Sequence, residues 1–151
     1  MAAPILQAQI DINAPVSAVW KLVSDVERMP QWSPQCRWTK AIGGVRQGAR
    51  MINVNRRGKL FWPTTARITE LVPEKKLAFK VSENHTVWSY ELEPTDAGTR
   101  LVETRRAENG TTTAVSAFAV DKFMGGETSF EQELIEGMND SLARIKAAAE
   151  R

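Results

Sequence analysis

Asp11-Ile12-Asn13-Ala14-Pro15-Val16-Ser17-Ala18-Val19-Trp20, continued by Ser24-Asp25-Val26-Glu27-Arg28-Met29-Pro30-Gln31-Trp32-Ser33-Pro34, is the stretch whose reading decides the fold. It predicts the end of a strand, a short helix, a second turn of helix, and then a new strand. Just upstream, Leu6, Ala8, Ile10 and Ile12 fall on one face, as in a half-buried strand. Asn13 is the expected helix cap. Pro15 suits the first helical turn, where its missing N–H would have had no helical partner. Val16, Val19, Trp20 and Val23 then recur at helical spacing, and the helix is expected to stop near Ser24 or Asp25.

Downstream the pattern changes period. Residues 37–42, 50–55, 60–71, 77–81, 87–92 and 99–106 read as short strands, the longest of them bent at Pro63. Gly43-Gly44, Arg57-Gly58, Pro73-Glu74, Glu83-Asn84-His85 and Asp96-Ala97-Gly98 punctuate them. Short, evenly spaced strands joined by turn residues predict an antiparallel meander. After Gly125-Gly126, Thr128 and Glu131 form a candidate capping box. Phe130, Leu134, Met138, Leu142 and Ile145 then stand three or four residues apart. About 22 residues at 1.5 Å each give a helix of roughly 33 Å, which needs a large concave partner. The expected fold is α+β. A seven-stranded curved antiparallel sheet carries two short helices and a long C-terminal helix, over an internal cavity, in one domain spanning residues 1–151.

A chain of 151 residues suits one substantial core. A net charge of +2 argues against a nucleic-acid partner, which calls for a strong basic excess. Cys36 is the only cysteine, so no intramolecular disulfide forms, and a cytoplasmic location is expected. The N-terminus lacks a basic segment followed by an apolar one, so no signal peptide is expected. No apolar run approaches the ~20 residues of a membrane span; peripheral membrane contact stays open.

Four motifs carry a resemblance. Ala14-Pro15 precedes a helix with Val19-Trp20; Asp25 and Pro30-Gln31-Trp32 follow it; Trp88-Ser89-Tyr90-Glu91-Leu92-Glu93 leads to Gly98-Thr99; and Leu142-Ala143-Arg144-Ile145-Lys146 leads to Ala149-Glu150. In this order they resemble the polyketide cyclase/dehydrase-like branch of the START and birch-pollen-allergen superfamily. The resemblance implies a helix-grip fold that binds or carries a small hydrophobic molecule, such as a polyketide, lipid or aromatic metabolite. It equally names a rival from another class, a polyketide-type aromatase/cyclase or dehydratase working in the same cavity. A third reading is an interaction module. Inward polar residues favour the enzyme, an all-apolar cavity the carrier, and a filled core the interaction module.

Few residues carry chemistry. His85, the only histidine, is expected in an exposed hairpin turn. Cys36 is expected as a small buried filler, since one potential ligand is not a metal site. No metal and no cofactor are expected. Glu103 and Arg105 share one face of a strand with Leu101, while Val102, Thr104 and Arg106 share the other. Two readings stay open. Either Glu103 and Arg105 line the cavity as a carboxylate beside a guanidinium, with the glutamate ionised, or both face outward. They are the only candidate catalytic pair. Arg56, Arg57 and Lys59 cluster at a hairpin tip ahead of Phe61 and Trp62. They read as a charged, solubilising tip, or as a contact for anionic lipid or a ligand's acid group.

Phe79, Trp88, Tyr90, Phe130, Leu134 and Met138 are the expected cavity wall, with Glu103 and Arg105 as polar contacts. Gly137, inside the long helix, makes room either for ligand or for close packing. The uncharged run 111–120 lies between Asn109-Gly110 and Gly125-Gly126. Residues 111–124 are read as a lid contacting ligand through Phe118 and Phe123, or as a segment that completes the core.

Overall fold

A computed structural model describes residues 5–83, 85–107 and 127–151, with side chains in the last stretch from residue 132 onward. Strand β1 (Ile5–Ile12) leads into helix α1 (Val16–Val23) and a 3₁₀ turn (Val26–Gln31). Six strands follow: β2 (Cys36–Ala41), β3 (Arg50–Arg57), β4 (Leu60–Val72), β5 (Lys76–Val81), β6 (Thr86–Pro94) and β7 (Thr99–Ala107). The long helix α2 spans Glu127–Ala149. The seven strands form one antiparallel sheet in the order β1-β7-β6-β5-β4-β3-β2. Consecutive strands pair as hairpins from β2 to β7. The exception is β1, which pairs with β7, so the sheet curls between chain-distant elements.

Two expected caps are not made. Asn13 caps nothing with its side chain: Pro15 occupies the position before α1, and its carbonyl accepts from Ala18 and Val19. The Asn13 amide instead donates to Glu150 Oε2 at 2.7 Å, at the far end of α2. α2 is already helical at Glu127, so Thr128 stands inside its first described turn rather than before it.

Alternation is what folds the sheet onto the helix. On β1, Leu6, Ala8 and Ile12 are buried while Ile5, Gln7, Gln9 and Asp11 are exposed. The inward side chains of β5, β6 and β7 meet in rows. Phe79, Trp88 and Arg105 form one, Leu77, Tyr90 and Glu103 the next. Leu142 and Ile145, both fully buried, seat the C-terminal half of α2 in this core. Lys146 Nζ donates to the Asp11 carbonyl at 2.9 Å, which ties that end of the helix to β1.

Gly98 fixes the corner where β6 turns into β7. A Cβ there would lie 2.3 Å from the Ile12 carbonyl oxygen, so only glycine lets this turn close on the end of β1. Thr99 Oγ1 completes the corner by donating to the Ala14 carbonyl at 2.8 Å.

Candidate functional site

The N-terminal half of α2 buries Leu134 and Met138 against the core and also borders open space. A cavity of about 480 Å³ is bounded by this half-helix (Glu133 to Ser141), the loop Ser33-Pro34-Gln35, the β3–β4 hairpin tip Arg56-Arg57-Gly58, and the inward side chains Trp88 and Glu103. Leu134 and Met138 supply its apolar wall from the helix. Gly137 sets how closely the loop approaches: a Cβ there would stand 3.2 Å from Pro34 Cγ. Gly137 also lines the cavity, so of its two expected roles room for a ligand stays open, and its close packing is against a loop rather than the sheet.

Among the described residues, Glu103 is the one acidic side chain on the sheet wall of this cavity. It sits in the middle of β7, opposite Ala8 on β1 and Tyr90 on β6. Its residue is only 4% exposed, and Oε1 has no hydrogen-bond partner. The Tyr90 hydroxyl hydrogen-bonds the carboxyl. Burial, the larger effect, pushes the Glu103 pKa up to about 8, and the tyrosine bond pulls it part of the way back. Burial and the neighbouring Glu103 likewise hold Tyr90 well above the ordinary phenol value, which keeps it a neutral donor.

Leu101, Glu103 and Arg105 therefore face inward. Glu103 and Arg105 form no ion pair with each other; the Tyr90 hydroxyl is the group beside the carboxyl. Successive inward positions on a strand are about 7 Å apart. Arg105 is buried opposite Trp88, outside the lining of the cavity.

A second polar tier continues onto β2, β3 and β4. Thr39 Oγ1 donates to Asn53 Oδ1, Asn53 Nδ2 to Thr64 Oγ1 at 3.3 Å, and Asn55 Nδ2 to Thr64 Oγ1 at 3.0 Å. These side chains satisfy one another, so they hold this end of the sheet without apolar packing. Cys36 is buried beside them and close enough to Tyr90 to perturb it. Burial pushes its thiol up to about 11, an inert state. His85 stands exposed in its turn with φ of 56°.

Of the residues expected on the wall, Trp88, Glu103, Leu134 and Met138 line the cavity. Tyr90 is buried opposite Glu103 on β6, and Phe79 is buried opposite Trp88 on β5; neither is in the lining of the cavity. Phe118 and Phe123, with the whole expected lid, lie outside the described residues, as does the Phe130 side chain. The mouth was not anticipated. Arg57 Nε donates to both carboxylate oxygens of Glu133 at 2.8 Å, and Nη2 lies 2.7 Å from Oε2. Arg57 is thus no free solubilising charge; it ties the hairpin tip to α2. Among the described residues no cluster of three His, Cys, Asp or Glu side chains could hold a metal, and no helix is long and apolar enough to cross a membrane.

A curved sheet, a helix gripped against it and a cavity with a buried carboxyl define a helix-grip cavity protein. The chain belongs to the polyketide cyclase/dehydrase and lipid transport family, whose model matches residues 4–150. Its structure is similar to that of the Zhui aromatase/cyclase from a Streptomyces species, with a TM-score of 0.76, 18% identity, and coverage of 97% of this chain and 93% of that one. It is also similar to protein NE0264 of Nitrosomonas europaea, with TM-score 0.71, 18% identity, and coverage of 95% and 92%. The polyketide-cyclase-like protein Cgl2372 of Corynebacterium glutamicum gives TM-score 0.62 at 26% identity, over 95% and 90%. No curated protein matches the chain in sequence.

Proposed function

We propose that this protein binds a small, largely hydrophobic molecule whose carbonyl or hydroxyl group meets Glu103. The observation that carries the reading is the unpartnered Oε1 of a buried carboxyl in the wall of the cavity. A pocket of this kind takes its affinity from apolar walls and its orientation from one or two placed polar groups. Trp88, Leu134 and Met138 provide the walls. With a pKa of about 8, Glu103 is mostly protonated at neutral pH, so its O–H can donate to a ligand oxygen.

The test is the pH dependence of binding of an aromatic ketone. Affinity for the wild type is expected to fall as pH rises through about 8, as Glu103 ionises and loses its donor. In Glu103→Gln the fall is expected to vanish, because the amide donates at every pH. Identical pH profiles for the two proteins would contradict the reading. Native mass spectrometry of the purified chain would identify a co-purified molecule.

The same protonation state supports a second reading. A neutral carboxylic acid held near pH 8 is what a general acid in a cyclisation or dehydration needs. The aromatase/cyclase among the structural neighbours and the family name both keep this reading in view. The binding role makes Glu103→Gln retune affinity without abolishing any turnover. A loss of ~100-fold in turnover of a polyketide-like substrate, with binding intact, establishes the enzyme instead.

A further inference from the structure

The convex face of the sheet carries an exposed apolar stripe at its β2–β3–β4 end. Trp38 pairs across the sheet with Val54, and Val54 with Pro63, in one continuous row. Ile52 lies two residues along β3 from Val54, and Phe61 two along β4 from Pro63, both on the same face. Trp38 is 49% exposed and Phe61 58%, values unusual for such large apolar rings.

Cations interleave with this stripe. Lys40 pairs in register with Ile52, and Arg56 with Phe61, its guanidinium 5.4 Å from the ring centroid. Arg50 and Arg67 stand directly opposite each other, both exposed, and among the described residues no carboxylate pairs with either. Like charges in register on a sheet repel. The nearby carboxylates are engaged elsewhere, Glu27 by Lys40 and the Ala41 amide, and Glu83 by Thr65.

We infer that this face docks on an anionic lipid surface. Basic side chains around exposed Trp, Phe and aliphatic groups match a bilayer interface, where rings enter the headgroup layer and cations meet lipid phosphates. A second copy of the chain fits worse: a twofold contact through this face would bury Arg50 and Arg67, and the nearby carboxylates that could meet them are already engaged. Nucleic acid fits worse too, since a net charge of +2 lacks the strong basic excess that such a partner calls for.

The face is continuous with the mouth of the cavity. Arg56 belongs to both, and the hairpin that ends β3 forms one lip. The opposite lip, on α2, carries Glu133, Glu136 and Asp140, so anionic lipid selects the hairpin side. Docking through this face with the hairpin tip inserted brings that one lip of the opening to the bilayer surface, where a hydrophobic ligand could pass along it with little exposure to water. That last step rests on the cavity-binding reading above; the docking itself does not.

The experiment is cosedimentation of the full chain with phosphatidylcholine vesicles, with and without phosphatidylglycerol. Binding is expected only to the anionic vesicles and should be lost at about 1 M salt. Trp38→Ser with Phe61→Ser, and separately Arg50→Glu with Arg67→Glu, should each weaken it about tenfold or more. All four positions are at the surface, and thermal melts confirm that the variants fold. Failure of the wild type to bind anionic vesicles, or unaltered binding by both variants, overturns the inference. So does a wild-type dimer that the Trp38/Phe61 variant abolishes, with no vesicle binding. Ligand binding to the cavity, measured without vesicles, is expected to be unchanged in both variants, so failure of the docking face and failure of the cavity reading are told apart.

Discussion

The two halves of α2 present one unbroken apolar stripe and have different surroundings. Toward the C-terminus, Leu142 and Ile145 are fully buried in the core, and Lys146 and Glu150 fasten that end to Asp11 and Asn13. Toward the N-terminus, Leu134 and Met138 border a cavity whose far wall holds Glu103, and the fastening is the Arg57–Glu133 pair at its mouth. The helix does not make this difference; the sheet does. Its inward face changes from Ile12, Leu101 and Leu92 to Glu103, Tyr90, Thr39, Asn53 and Asn55. Of these polar side chains, Glu103 is the one found in the lining of the cavity.

Single substitutions can break this comparison. Leu142→Ala should cost about 2–5 kcal/mol, since it opens a void in a packed core, and a chemical denaturation series measures it. An unchanged denaturation midpoint would show that the C-terminal half is not the packed one. Met138→Ala removes a side chain that already has open space on one side. It should cost less than Leu142→Ala and change affinity for cavity ligands, measured by titration calorimetry. Equal stability losses for the two variants, with no change in binding, would erase the division of the helix. Arg57→Ala should cost at most about 1 kcal/mol, because both partners are about a third exposed in the ion pair. Its expected signature is kinetic: faster ligand exchange in stopped-flow fluorescence, through a mouth no longer tied shut.

Much of the fold was legible in the sequence because periodicity sets which residues face the core. The alternation of Leu6, Ala8 and Ile12, and the helical spacing of Leu134, Met138, Leu142 and Ile145, placed the sheet and helix within a residue or two at each described strand end. The site was less legible. On β7, Leu101 and Val102 are both apolar and both buried, on opposite faces, so alternation alone left the direction of Glu103 open. Its protonation comes from burial, opposed in part by Tyr90, which is thirteen residues away in sequence and its neighbour only through the β6–β7 register. The polar tier did leave a signal. Asn53 and Asn55 are in phase with the buried Met51, and asparagine is disfavoured inside strands, so two on the inward face mark a polar wall. The Arg57–Glu133 pair left none, because it joins residues 76 positions apart.

The central claim is that a neutral, buried carboxylic acid lines the cavity. It predicts a sign for stability against pH. A carboxyl raised to about 8 in the folded chain favours folding fully below the unfolded value of 4.5, and that contribution is lost as pH rises through about 8. Wild type should therefore lose up to a few kcal/mol relative to Glu103→Gln between those limits. The most direct measurement is titration of the Glu103 side-chain carboxyl by carbon-13 NMR, with Glu103→Gln to assign the resonance. A midpoint near 8 is the predicted result. A midpoint at or below the ordinary glutamate value would mean an ionised group in a wet or charge-paired site, and would contradict the claim.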